Sequence, residues 1–480
     1  MARTIFIGDA VFCAAIGFLT GILAASFDWN LLEVTVWILI GGGIVGIAAH
    51  FITLEKFNET MMFGGICIFA IFFGAAYFRW FIGHAARAEK LPSGKSATFL
   101  AIVSDEPTTS NKAILLKAQL EKPYAGAITI FAPLNSHYGY GDELRATGAI
   151  TPSQDEWQSP AIFPKGLKLV AKHKAFLFRE WLIDLKLAII DRYNTVLSPD
   201  EAMLLGGITF GAKQNFKQDL KDAMAASGTT HLVAISGYNI TIVIVATEGI
   251  LGSWFSRRAK FFATIGLIVV FVLMTGLQSS AIRAAIMGFL VLTAKESGRI
   301  FSMRNAIVLT ALVMAVLNPN IIAHDVGFEL SFMSLLGIVC LCDPLKKLFH
   351  LEMSGVLDWK DSAVTTLAAQ LGTMPILIAV FNQFSATAIL PNVLVLGTVP
   401  LTMLLGFILA VLGFLSFYLA FFVGKLTGLL LAYQLVVIRF FATVAIPLPF
   451  AFNSVAVFVV YYSALIWFAF SYQAGSPAET

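Results

Sequence analysis

Residues 391–416 read PNVLVLGTVPLTMLLGFILAVLGFLS, a run without a single charged side chain. A helix needs about 20 largely apolar residues to cross the hydrocarbon of a bilayer, and this stretch supplies them. Working outward, apolar runs open the chain at 10–27, 31–53 and 61–83. Others lie at 231–252, 260–276, 280–297, 304–318, 327–342, 363–381, 420–446 and 453–472. The runs at 304–318 and 327–342 are short, as tilted partial spans or re-entrant pieces would be. Composition agrees: 58% of the 480 residues are hydrophobic and 13% charged, against roughly 45–50% and about 25% in soluble domains. The expected fold is a polytopic α-helical membrane protein with about 12 transmembrane helices.

Composition also bounds function. A net charge of +3 is too small to argue for a nucleic-acid partner. No G-x-x-x-x-G-K-[ST] loop is present to hold ATP phosphates. Cys13, Cys67, Cys340 and Cys342 lie in or beside apolar runs, with no zinc-site spacing; they read as buried small hydrophobes. No metal or other cofactor is expected. The start, MARTIFIGDAVFCAAIGFLTGILAASF, reads as a retained span rather than a cleaved signal.

Lys and Arg in short loops set the orientation. With Arg3 inside, Lys56, Arg257, Arg258, Lys260, Lys295, Arg299, Arg304, Lys346, Lys347 and Lys360 all fall on the same side. The opposing loops at 277–280, 318–325, 382–387 and 447–449 contain no Lys or Arg. Both termini are therefore expected in the cytoplasm, and residues 84–230 in the periplasm.

That exported segment is polar, with 14 Lys+Arg against 12 Asp+Glu over residues 84–200. ATFLAIVSD, AILLKAQL, AITIFA and DELRATGAIT within 95–151 read as short strands separated by turn residues. They predict a small β domain, OB-like among the small barrels. Residues 165–198 read as helical and amphipathic. Their start, KGLKLVAKHKAFLFR, holds Lys165, Lys168, Lys172, Lys174 and Arg179 without an acid, suited either to phosphate or to anionic lipid. A further amphipathic helix is expected over 216–228.

At residue 228 the chain reads GTTHLVAISGYNITIVI, with His231, Ser236 and Gly237 at the start of a membrane helix. SSAIRAAIMGFLVLTAKESGR follows at 279–299, NPNIIAHDVGFELSFMSLLGIV at 318–339, and AAQLGTMPILIAVFNQFSATAILPNVLVLGTVPLTM at 368–403. Together, in this order and spacing, these segments resemble the ComEC competence family over nearly the whole chain. The resemblance implies three leading membrane helices over 1–83, a periplasmic OB-like domain over 84–160, an amphipathic helical connector over 161–227 and a competence core over 228–480. It also implies an inner-membrane channel that carries single-stranded DNA into the cytoplasm during natural transformation. A periplasmic DNA receptor and cytoplasmic single-strand handling proteins are the implied partners. Two departures stand out. The family's metallo-β-lactamase-like nuclease is not expected in this chain, which has only seven His and no H-x-H-x-D cluster, and Asn239 and Glu329 stand where the family often has His and Gln. A channel rather than an enzyme is expected.

Polar groups inside spans are costly and mark function by default. His231 stands at the mouth of its span, where it either lines a pore or helps cap a helix. Ser236-Gly237 marks either a helix break or small-residue packing, and Asn239, three residues on, shares the face of Ser236. Arg283 lies near the outer end of its span, placed to meet phosphate or to snorkel to headgroups. Asp325 and Glu329 share a face if their helix has begun, although Asp325 is equally an N-cap. Gln370 is mid-span beside Pro375, and Asn392 is near an outer end. A path for a single strand asks for weak donors to phosphate and aromatic faces for bases, and Arg283, Asn239, Gln370 and the many Phe can supply both. Two alternatives use the same residues: a small-molecule or ion transporter built on the same core, and a membrane-embedded hydrolase using His231 and Ser236. On one regular helix those two side chains would stand about 140° apart, which argues against a direct dyad.

Overall fold

A computed structural model of the chain describes residues 2–26, 57–85, 96–109, 113–151, 160–212, 216–252, 254–298, 301–350, 359–381, 386–445 and 455–473. They form two compact units. One is Met1–Glu180, Thr247–Val269 and Ile282–Phe328; the other is Trp181–Ala246, Val270–Ala281 and Glu329–Thr480.

In the first unit, Ala2–Ser26 and Phe57–Ala85 are long helices packed closely enough that a Cβ on Gly74 would strike the Phe18 carbonyl. Small residues at such crossings let helix backbones approach in lipid. Phe18, Ile22, Ala70 and Phe78 form the core there, joined by Ala315 from the helix Met303–Leu317. Arg304 on that helix pairs with Asp9 at 3.0 Å and lies 4.6 Å over the Phe12 ring. The apolar run at 31–53 lies outside the described residues.

The β domain closes on itself. Its strands are β1 (Ser96–Val103), β2 (Thr108–Thr109), β3 (Ile114–Leu120), β4 (Ala127–Ala132), β5 (Glu143–Thr151), β6 (Ala161–Ile162) and β7 (Gly166–Ala171). Pairing runs β1-β3-β4-β6-β5 and returns from β5 to β1, a five-stranded barrel consistent with an OB-like fold. β4 and β6 are parallel, and the other pairs of the ring are antiparallel. Strand alternation turns Leu116, Ala118, Ile128, Ile130, Leu144 and Ala146 inward, each 0% exposed, as a pleated strand with one buried face requires. β7 corrects the sequence reading. Residues 166–171 were expected to be helical, but they pair with β5 from Glu143↔Ala171 to Thr147↔Gly166, and the helix begins at Leu177. GLKLVA has the Leu and Val content of a strand, and β5 offered it an open edge.

The second unit is helical. Val326–Leu348 and Trp359–Phe381 touch at Gly337 and Gly372: a Cβ on Gly337 would lie 2.5 Å from the Ala368 carbonyl. Pro375 sits inside Trp359–Phe381. Lacking an N–H, it cannot serve the carbonyl four residues earlier, that of Leu371. Tyr461, from the helix Val455–Gln473, donates its hydroxyl to that oxygen at 2.9 Å, and Tyr462 donates to Gly372 O at 3.0 Å. Asp200, at the start of the helix Pro199–Phe210, accepts from Lys217 at 2.8 Å and also pairs with Arg439. The Lys217 hydrogen bond, aided by Arg439, holds the Asp200 carboxyl below its ordinary range.

Among the described residues, five helices are long and apolar enough to cross a membrane: Asp9–Ser26, Gly64–His84, Val326–Leu348, Lys360–Phe381 and Phe417–Thr443. The run at 391–416 supplies a sixth only as a bent pair, Ile389–Leu396 and Val399–Leu415, inclined at 45°. Gly237–Leu251 and Met303–Leu317 are helices of 15 residues each, too short for a full span. Arg257–Met274 carries three basic residues in its first turn, Arg257, Arg258 and Lys260. Of the cysteines, Cys13 and Cys67 are buried as expected, whereas Cys340 is exposed and Cys342 half-buried.

Two outcomes follow from these contacts. Tyr461→Phe should lower stability in detergent by about 1–3 kcal/mol by orphaning the Leu371 carbonyl. In a Pro375→Ala background, which restores the helical donor, that cost should shrink; an equal cost in both backgrounds would exclude the explanation. Asp200→Asn should lower the melting midpoint at pH 7, because a carboxylate with a depressed pKa contributes stability above its unfolded value. The difference from wild type should fade as pH drops below about 4 toward the depressed native value, and a constant difference would remove the role given to ionised Asp200.

Candidate functional site

Among the described residues of the helical unit, polar side chains gather at two places where helices break or end. The first follows the helix Gln218–Ala226. Gly228 turns the chain with φ of 71°, a left-handed conformation that glycine adopts without steric cost. A single 3-10 turn, Thr230–Val233, then carries His231. Ala234 is extended, and the helix Gly237–Leu251 starts with Gly237. His231 and Ser236 therefore do not share a regular helix, and the 140° argument drawn from the sequence does not apply. His231 lies in the exposed part of the turn.

Ser236 and Asn239 do come together. Ser236 Oγ donates to Asn239 Oδ1 at 3.0 Å. Asn239, 4% exposed, donates its Nδ2 to the Ile208 carbonyl at 2.9 Å. Ile208 belongs to the last turn of Pro199–Phe210, where helix carbonyls have no internal partner. The cap at Gly211 serves Gly207 and the next amide serves Gly206; Asn239 supplies the donor for Ile208. One side chain thus ties the start of one helix to the end of another.

The second break divides the run at 391–416. Thr398 stands between Ile389–Leu396 and Val399–Leu415. Its hydroxyl donates to Val395 O at 2.7 Å, and that of Thr402 to Thr398 O at 3.0 Å. With both protons committed, the two oxygens accept from Gln434 Nε2 at 2.9 and 2.8 Å. This fixes which way the amide points, and Gln434 is 0% exposed. Asn392 is buried in the half-helix before the break, at 2% exposure. Among the described residues, no donor reaches Asn392 Oδ1 or Gln434 Oε1. The sequence reading named Asn392 but passed over Gln434, Thr398 and Thr402. The signal was available in LLLAYQLVVIRF, where Gln434 is the one amide in an apolar stretch.

The remaining expected residues are dispersed. Arg283 lies one turn into Ser279–Ser297, half-buried. Asp325 precedes its helix, and its Oδ1 accepts from Phe328 N at 2.8 Å. Asp325 is thus an N-cap, and the shared helical face expected for Asp325 and Glu329 does not arise. Glu329 is in the first turn of Val326–Leu348. Gln370 is one turn before Pro375, with Thr373 Oγ1 donating to Ala369 O at 2.9 Å. No cluster of three or more metal-ligating side chains occurs among the described residues. The chemistry on offer is hydrogen bonding by amides and hydroxyls at helix ends.

Comparison with known proteins places these breaks inside a recognised unit. A family model described as Competence protein matches residues 208–474, which include Asn239, Thr398 and Gln434. ComE operon protein 3 of Bacillus subtilis (strain 168) is 27% identical over 238 residues, 49% of this chain and 29% of that protein. The match thus spans less than a third of the relative's length. No solved structure matches. With more than half of its length covered by the family model, the chain belongs to the Competence protein family.

Proposed function

We propose that this chain is the inner-membrane channel through which single-stranded DNA enters the cytoplasm during natural transformation. The observation that carries the proposal is the coincidence of the competence family match, residues 208–474, with two helix breaks lined by buried amides and hydroxyls. Broken helices are tolerated in a membrane where they border a polar cavity, and half-helix ends present backbone dipoles to a passing charge. Acceptors and donors of this kind bind without reading sequence, which is what a strand of arbitrary composition demands.

In this reading the chain has about 12 membrane helices, with both termini cytoplasmic and residues 84–230 periplasmic, as the Lys and Arg distribution favours. His231, Ser236, Asn239, Glu329, Gln370 and Asn392 border the path, and Arg283 meets phosphate. The chain moves DNA rather than cleaving it. A periplasmic DNA receptor delivers the strand, and cytoplasmic single-strand handling proteins draw it in.

Deleting the gene should abolish transformation by a linear selectable marker while DNA still reaches the periplasm. Wild type should complement. Arg283→Ala and Asn239→Ala, accumulating normally, should transform at least roughly tenfold less well, the scale of one lost charge-assisted or buried hydrogen bond. Unchanged transformation in a demonstrably competent host would exclude the DNA channel and favour the transporter built on the same core.

A further inference from the structure

The barrel carries a surface that its own fold leaves uncovered. β7 pairs with β5 but is not part of the closed ring, and Lys168, Leu169 and Val170 are all exposed along it. Phe163 just before it is 63% exposed, and Phe176 and Leu177 just after it are 61% and 62% exposed. An exposed apolar edge strand invites pairing with other chains unless something covers it. Residues 163–178, FPKGLKLVAKHKAFLF, contain no acid. His173 pairs with Glu180 at 2.6 Å and Lys174 lies 3.8 Å from Glu143. Lys165, Lys168 and Lys172 project beside the apolar side chains and are exposed.

We propose that β7 and its flanks, residues 163–178, rest on an anionic lipid surface and hold the barrel against the membrane. Two physical features favour lipid. Aliphatic Leu169, Val170 and Leu177 offer an acyl boundary a good partner but give a nucleobase no face to stack on, and one face of the Phe163 ring is already stacked on Phe131 with centroids 4.4 Å apart. Lysines interleaved with exposed apolar residues match the two layers of an anionic interface, headgroup and acyl edge. The tether permits it: ten residues separate the helix Phe57–Ala85 from Ser96, a connection that reaches at most roughly 40 Å when extended. The inference rests on the chain spanning a membrane and is independent of the cargo.

Hydrogen exchange on the full chain in nanodiscs tests it. Amides of residues 163–178 should exchange about tenfold or more slowly in discs containing phosphatidylglycerol than in discs of phosphatidylcholine alone, as expected for a segment held at a surface. Replacement of the three lysines, K165Q/K168Q/K172Q, should remove that difference. L169S/V170S, which keeps the charge, should reduce it. Unchanged protection of β3 and β4 in both variants would show that the barrel remains folded. Equal exchange in the two kinds of disc would overturn the proposal. So would protection that appears only when a single-stranded oligonucleotide is added, which would assign the surface to DNA.

Discussion

Inside a bilayer, every backbone N–H and C=O needs a partner from the protein, and the helical unit is organised around meeting that demand where helices end or bend. Pro375 leaves the Leu371 carbonyl without its helical donor, and Tyr461 supplies one from another helix. The last turn of Pro199–Phe210 leaves the Ile208 carbonyl open, and Asn239 supplies it. At the break before Val399–Leu415, Thr398 and Thr402 turn their hydroxyls to nearby carbonyls and accept from Gln434. Each break is stabilised by a side chain from a distant part of the sequence. A change at one of these positions should therefore disturb packing between helices as much as the local turn.

This arrangement connects stability with function. A continuous helix satisfies its own backbone and presents lipid-compatible side chains, leaving little for a charged polymer. A broken helix needs polar side chains to survive in lipid, and those side chains create the polar surroundings that a nucleic-acid strand requires. Asn239, which ties the start of Gly237–Leu251 to a neighbouring helix, is also one of the groups the proposed path would use. The barrel illustrates a different solution. Its five-stranded ring satisfies the backbone by closure, so it needs no polar props, and β7 is the edge that closure leaves over.

Much of this was readable from residue order. Apolar runs marked the helices because lipid selects side chains over a whole span: 61–83 lies within Phe57–Ala85, and 420–446 covers most of Phe417–Thr443 and runs past its end. Apolar or alternating segments at 97–105, 113–120, 127–132 and 142–151 read as strands, and strands stand at 96–103, 114–120, 127–132 and 143–151. Three kinds of information were not readable. KGLKLVA is compatible with either helix or strand, and the free edge of the preceding strand β5 decided the matter. The break at Thr398 was hidden because Gly397 and Pro400 lie in a run apolar enough to pass as one span. Asn239 and Tyr461 donate to backbone carbonyls, which every residue has, so no pattern of side chains could announce them. Asp325 shows the converse: its position before an apolar run signalled an N-cap, and it is one.

If the helical unit conducts a strand along its polar breaks, purified chain should do so in liposomes loaded with a single-strand binding protein. A fluorescent single-stranded oligonucleotide added outside should become resistant to external nuclease. Asn239→Ala and Gln434→Leu should slow that protection while the inserted protein remains folded. If no protected strand accumulates although the protein is inserted in both orientations and melts as it does in detergent, this chain by itself is not the conduit.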